Sequence, residues 1–231
     1  MGLMWFGTND GLNRYDGYKF VVYHHDPFDS TSLADNQINC LFEDSKQRLW
    51  IGTQHSGIDI FDRQHLTFIH LPLNNKNSLL GNAIVSINED KTGSFWIGTD
   101  EGIERLTISN KNTSQKDDAD LQDFFTTHQL LTTHIAIPDE DAESKNSVGV
   151  QRLYIDGNNV FAQSSSGIYQ VIYSNNSCRL IQKFSSSPQE EGLPFLFKNQ
   201  YANEWFMQNK TGVYKFTGKD FSNPQKNLSA G

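Results

Sequence analysis

Cysteine is nearly absent: only Cys40 and Cys178 stand among 231 residues. They form no CxxC pair, and no histidine is spaced to complete a metal site with them, so a disulfide framework and a cysteine zinc centre are both excluded. Cys40 lies in an apolar run and reads as a small buried residue, while Cys178 reads as part of a polar turn. Two such residues leave the redox compartment undetermined. Long apolar runs are missing as well. Nowhere do eighteen apolar residues follow one another, and MGLMWFGTNDG carries no basic segment leading into an apolar stretch, so neither a membrane helix nor a secretory leader is expected in these residues. Positive charge is short. Nineteen Lys and Arg face 27 Asp and Glu, for a net charge of −8, so the average field repels phosphate backbones and anionic bilayers, and nucleic acid or membrane contact is not expected.

Aromatic residues, in contrast, make up 12% of the chain, with 16 Phe and 8 Tyr, a composition that suits strands better than helices. The chain also repeats itself. LMWFGTNDG, RLWIGTQHSG and SFWIGTDEG are variants of W-[IF]-G-T-x-x-(x)-G, with tryptophans at Trp5, Trp50 and Trp96. Two weaker copies put Phe161 and then Trp205 at the same position. The similarity extends upstream, where TSLADNQINCLFED from Thr31 aligns without a gap on NSLLGNAIVSINED from Asn77. An acidic residue stands six positions before two of the tryptophans, Asp44 before Trp50 and Asp90 before Trp96. Asp156 falls five before Phe161.

A unit of about 45 residues that reads as four short strands, INCLFED, LWIGT, GIDIFD and LTFIHL, is the period of a propeller blade. The expected fold is therefore all-β, a β-propeller of four-stranded antiparallel blades with about five repeats over residues 1–231. The first two strands of a unit, called A and B, are apolar on both alternating faces, which requires a neighbouring sheet on each side. Gly7, Gly52 and Gly98 would admit the close approach of an aromatic ring from the next blade. Glycines 11, 57, 102, 167 and 212 mark turns between strands B and C. The third unit is longer, and residues 109–147 read as a polar insertion in which LQDFFTTHQLLTTHIAI supplies either strand D or a short helix. By strand count the chain opens on strand B of its first unit and ends after strand C of its fifth, which favours a piece of a larger ring over a closed one.

These residues, WIGT-x-x-G followed by a Leu/Ile-rich strand, SL-x-x-N-x-I between units and an acidic A–B turn, resemble the two-component regulator propeller repeat. The resemblance is strongest from Leu3 to about Leu106. It implies the periplasmic sensor region of a hybrid two-component system of carbohydrate-degrading gut bacteria, non-catalytic itself and without cofactor. Its expected ligand is an oligosaccharide, its expected state in the full receptor a homodimer, and its output a histidine kinase lying outside these residues that regulates polysaccharide-use genes. The family strings about fourteen such repeats into two seven-bladed rings, more than are present here.

The repeat positions Trp5, Gly7, Trp50, Gly52, Trp96, Gly98, Trp205, Asp44 and Asp90 are read as structural. Tryptophans fixed within every unit suit core packing better than sugar stacking. Carboxylates recurring once per blade are spread round a ring, whereas a retaining glycosidase needs two about 5 Å apart, so they are expected to bond turn amides. His24, His25 and His55 read as surface residues. The clusters Asp117, Asp118, Asp120 and Asp139, Glu140, Asp141 lack the Gly and terminal Glu of a calcium loop. No ligand-binding, catalytic or metal residue is assigned. A scaffold for protein partners and a propeller glycosidase or lyase are the alternatives to the sensor.

Overall fold

The computed structural model describes residues 3–71, 79, 81–110, 121, 128–138, 149–156, 159–165, 167–172, 176–183, 195–199, 204–209, 212–216 and 224–227. Each sheet is an antiparallel meander whose strands pair in chain order. The first has three strands, β1 (Met4–Thr8), β2 (Gly11–Tyr15) and β3 (Phe20–Tyr23). Four-stranded sheets follow. They are β4 (Ile38–Glu43), β5 (Leu49–Thr53), β6 (Ile58–Asp62) and β7 (Thr67–His70); then β8 (Ile84–Glu89), β9 (Phe95–Thr99), β10 (Gly102–Asn110) and β11 (His128–Ile135). The fourth holds β12 (Val150–Asp156), β13 (Asn159–Ser164), β14 (Gly167–Ile172) and β15 (Ser177–Lys183), and the fifth β16 (Phe195–Asn199), β17 (Glu204–Asn209), β18 (Gly212–Phe216) and β19 (Pro224–Asn227). This is the blade organisation of a β-propeller.

Two expectations change, and one open choice is decided. The fifth unit does not stop after strand C, because Pro224–Asn227 pairs with Val213–Phe216 as a fourth strand. Its sequence, PQKN, has no apolar alternation to announce it. Cys178 lies in β15 opposite Val171, not in a turn. Within the stretch read as an insertion, strand β10 runs on to Asn110 and His128–Ile135 forms strand D, while Leu121 has helical backbone. Asp117, Asp118, Asp120, Asp139, Glu140 and Asp141 lie outside the described residues.

The core sits between sheets, since a strand with apolar residues on both faces has something to bury on each. Leu49, Ile51, Phe61 and Phe68 of the second sheet join Leu12, Trp5 and Tyr23 of the first. Trp50, Ile58 and Ile60, on the opposite face, join Ile84, Ile87, Phe95 and Ile97 of the third. Trp96 and Ile103 in turn join Val150, Leu153, Val160, Ala162 and Tyr169 of the fourth. Trp50 and Trp96 are 0% exposed, and the Trp50 ring stacks on Phe95 with centroids 4.2 Å apart. The side chain of Trp205, on β17, is outside the described set.

The strand-B glycines make these contacts possible, but not by receiving an aromatic ring. A Cβ on Gly52 would lie 2.8 Å from Ile84 Cγ2 and 2.5 Å from Cys40 Sγ. On Gly7 it would lie 2.6 Å from Ile38 Cγ2, and on Gly98 2.7 Å from Val150 Cγ1. In all three the neighbour is the β-branched first residue of the next sheet's strand A. That strand is kinked just there, with register irregularities between Ile38 and Cys40, Ile84 and Ser86, and Val150 and Arg152.

Candidate functional site

In an antiparallel meander the B–C turns and the linkers from strand D to the next strand A emerge at one end of the sheets, and the A–B and C–D turns at the other. The two ends use their polar residues differently.

At the A–B end the aspartates organise their own turns. Asp44 Oδ1 accepts from the amides of Lys46 (3.0 Å) and Arg48 (2.8 Å), while Oδ2 accepts from Arg48 Nε (2.6 Å) and Trp50 Nε1 (2.8 Å). Asp90 repeats the pattern, accepting from the amides of Thr92 and Ser94, from Thr92 Oγ1 and from Trp96 Nε1 at 2.9 Å. Burial alone would raise the Asp90 carboxyl, but these hydrogen bonds, led by those from Thr92 and Trp96, outweigh it and hold the group below its usual value. A carboxylate so fully occupied by donors from its own turn has little basicity to offer a substrate. One turn also links sheets, since the Ser45 amide and hydroxyl both donate to Glu89 at 2.7 Å.

At the B–C end the threonine of W-[IF]-G-T closes the turn. Thr8, Thr53 and Thr99 each donate to the carbonyl of the turn glycine (Gly11, Gly57, Gly102) at 2.9, 2.8 and 3.1 Å, and accept from a turn amide. Sequence reasoning gave these threonines no part, although they recur in all three strong copies. The amides of Gly11 and Gly57 then donate to the carbonyls of Asn36 and Asn82, the asparagines of SL-x-x-N-x-I. Leu33 and Leu79 of the same motif are 0% and 4% exposed. The motif is thus a linker clamp: leucine plugs the core, asparagine receives the preceding turn, and isoleucine lies on the preceding glycine.

What remains on this end for a ligand is the tips of the turns and linkers. His55 Nδ1 lies 3.0 Å from Asp35 Oδ2, and the His55 amide donates to the same oxygen at 2.9 Å. Burial opposes ionisation of Asp35, but hydrogen bonds from the Gln37 amide and from His55 prevail and hold it below its usual value. Asn39 Nδ2 donates to Gln54 Oε1 at 2.8 Å, and His24 Nε2 stands 3.7 Å from Asp10 Oδ1. His25 Nδ1 lies 2.6 Å from the Leu33 carbonyl. These side chains form a polar, partly acidic rim. Among the described residues, no three His, Cys, Asp or Glu side chains converge as a metal set. Among the same residues, no helix is long and apolar enough to cross a membrane.

The clamp and the turn that follows it coincide with what comparison with known proteins finds. Residues 32–55 and 78–101 match the family model described as two component regulator propeller, so the resemblance read from the sequence holds on those two repeats. The chain is similar to the extracellular domains of two hybrid two component systems of B. thetaiotaomicron. One is 18% identical with a TM-score of 0.69, over 97% of this chain and 28% of that one. The other is 22% identical with a TM-score of 0.69, over 97% and 29%. A histidine kinase of Formosa agariphila is 50% identical over 34 residues, which are 15% of this chain and 2% of that protein. A structure described as a gluconolactonase shares the fold at 11% identity and a TM-score of 0.54, over 92% of this chain and 69% of that one. The chain thus spans less than a third of the sensor domains it matches, and what is shared at these identities is the propeller fold.

Proposed function

We propose that this chain is the ligand-sensing propeller region of an extracytoplasmic, periplasmic receptor of the hybrid two-component type, and that it recognises an oligosaccharide without chemically changing it. The observation that carries the reading is the linker clamp of residues 32–55 and 78–101, matched by the two component regulator propeller model and set in a fold that the chain shares with the extracellular sensor domains at a TM-score of 0.69. In this reading the ligand meets the rim of B–C turns and linkers. There the fixed backbone clamp holds variable tips such as Gln54 and His55, whose side chains the clamp itself does not use. Residues 1–231 act as one propeller region, and the nine repeat positions from Trp5 to Trp205 are scaffold. The receptor works as a homodimer with two arrangements, and an oligosaccharide that binds one more tightly shifts the population that a kinase portion reads, and with it polysaccharide-use genes.

A thermal-shift screen against defined oligosaccharides tests this, because a ligand that binds only the folded chain stabilises it by mass action. A saturable shift with one glycan class, the glycan recovered intact, supports sensing. Glycan consumption would replace the reading with an enzymatic one. A folded chain that shifts with no glycan would favour a scaffold for protein partners.

A further inference from the structure

Strand D is the outer strand of each sheet, and in the second sheet its edge is not left bare. The linker between the first two sheets folds back along it, so that the Phe68 amide of β7 donates to the carbonyl of Thr31 at 2.8 Å. Two residues on, the His70 ring bridges the same linker to the sheet. Its Nδ1 stands 2.7 Å from Asp59 Oδ1, and its Nε2 stands 3.1 Å from the carbonyl oxygen of Ser30. Asp59 Oδ2 completes the bridge by accepting from the Ala34 amide at 2.8 Å.

Both groups that face the ring are acceptors. A neutral imidazole has one N–H and satisfies only one of them, leaving the other nitrogen's lone pair directed at an oxygen. The bridge therefore needs one proton more than a carboxylate and a neutral ring together provide. Asp59 is 0% exposed, so an ionised carboxylate there also requires a nearby cation.

Among the described residues the surroundings supply no substitute. From β6 the group facing His70 is Asp59, and across that strand Asp59 pairs with the apolar Ile51 of β5. The linker's carboxylates are engaged elsewhere: Asp26 Oδ1 accepts from the Phe28 amide, Asp29 Oδ1 from the amide and hydroxyl of Thr31, and Asp35 from the Gln37 and His55 amides. Along β7 itself, Thr67, Phe68 and Ile69 carry no charge.

We propose that His70 is a proton-operated latch, which as an imidazolium fastens the linker at Ser30–Ala34 to the outer edge of the second sheet and as a neutral ring releases it. The Asp59 hydrogen bond is the leading cause that raises the His70 titration above its usual value, partly opposed by burial and aided by the Asp59 charge and the Ser30 carbonyl. The sign follows. The latch is fully closed below the ordinary imidazole value and opens as pH rises through the higher folded value. Glu104 and His134 form a comparable pair in the third sheet, Nδ1 to Oε1 at 2.9 Å, and provide an internal control.

The test uses the 231-residue chain. NMR follows the His70 ring and amide hydrogen exchange at Phe68, corrected for base catalysis, from about pH 5.5 to about pH 9. Phe68 exchange is expected to rise about fivefold, the worth of one net hydrogen bond, with a midpoint that coincides with the His70 titration. In His70→Gln it is expected to be fast at every pH, and in His134→Gln to match the parent chain. A ring that titrates at or below its usual value overturns the latch, as does Phe68 exchange that stays flat or keeps its pH dependence in His70→Gln. Should His70→Gln not fold, the coincidence of the two midpoints in the parent chain decides alone.

Discussion

Replacing Gly52 with alanine places one methyl group at the closest approach of two sheets. The new Cβ would stand 2.5 Å from Cys40 Sγ on its own sheet, 2.8 Å from Ile84 Cγ2 on the next, and 3.0 Å from Ile84 Cβ. Neither neighbour is the free end of a long chain, and Ile84 is itself 0% exposed, so the backbones must part. Overpacking of this kind costs about 1–3 kcal/mol. Against it, alanine restricts the unfolded chain and returns about 0.4–1 kcal/mol. The net is a loss of roughly 1–2 kcal/mol, or about 3–6 °C in Tm for a chain of this size. Urea unfolding followed by tryptophan fluorescence measures it. The cause is isolated by a double-mutant cycle with Ile84→Ala, which alone leaves a cavity and costs about 2–5 kcal/mol. Combined, the Gly52→Ala methyl occupies room that Ile84 has vacated, so the double variant should be more stable than additivity allows by about 1 kcal/mol. Additive losses, or a Gly52→Ala chain as stable as its parent, would show that the glycine is not there for the isoleucine.

Asp44→Ala should cost about 3 kcal/mol or more in the same assay, because it strands Trp50 Nε1 in the core and unties two turn amides and Arg48. Asp90, whose depressed carboxyl has the folded value below the unfolded one, stabilises fully above the usual carboxylate range and loses that contribution as pH falls through the folded value. Thr92→Val, which removes one of its donors, should flatten the acid limb of a Tm-against-pH profile, and an unchanged limb would contradict this. Burial pushes the Cys40 thiol up to about 12, so in a Cys178→Ser background it should react with a disulfide reagent far more slowly in buffer than in urea, and equal rates would count against burial. Gln47 sits at φ 62°, where the matching position of the next sheet is Gly93 at φ 78°, so Gln47→Gly should raise the urea midpoint by up to about 1 kcal/mol equivalent.

The sheets were legible in the sequence because a strand covered on both faces leaves a dense apolar signature, and LWIGT and FWIGT carry it without interruption. Strand β19 was not, because PQKN has neither alternation nor bulk; its place is set by pairing with β18. The glycine positions were legible, but not what lies against them. A missing Cβ announces close approach and says nothing of the partner, which proved to be Ile38, Ile84 or Val150. The turn threonines went unread because their role is a pair of hydrogen bonds within four residues, and only the repetition of the motif hinted at it. The His70 bridge had no local signal at all. It joins residues 11 and 40 positions apart, a distance over which sequence pattern is silent.

The two best-matched units also show what the repeat preserves. In the second sheet Arg48, from the A–B turn, lies over the Trp50 ring at 5.8 Å, and strand C puts Ile60 opposite that tryptophan. In the third sheet Ser94 takes the Arg48 position, while strand C puts Arg105 opposite Trp96, with its guanidinium 5.5 Å from the ring and donating to Ser94 Oγ. The cation over the indole is present in both, delivered from different strands. What the two blades share is thus the environment of the tryptophan rather than one residue, since a buried indole needs its N–H satisfied and its face covered whichever element provides the cover. In the fourth sheet Phe161 has no N–H to satisfy, so an acid six residues before it is not required there, and Asp156 stands five residues before it instead.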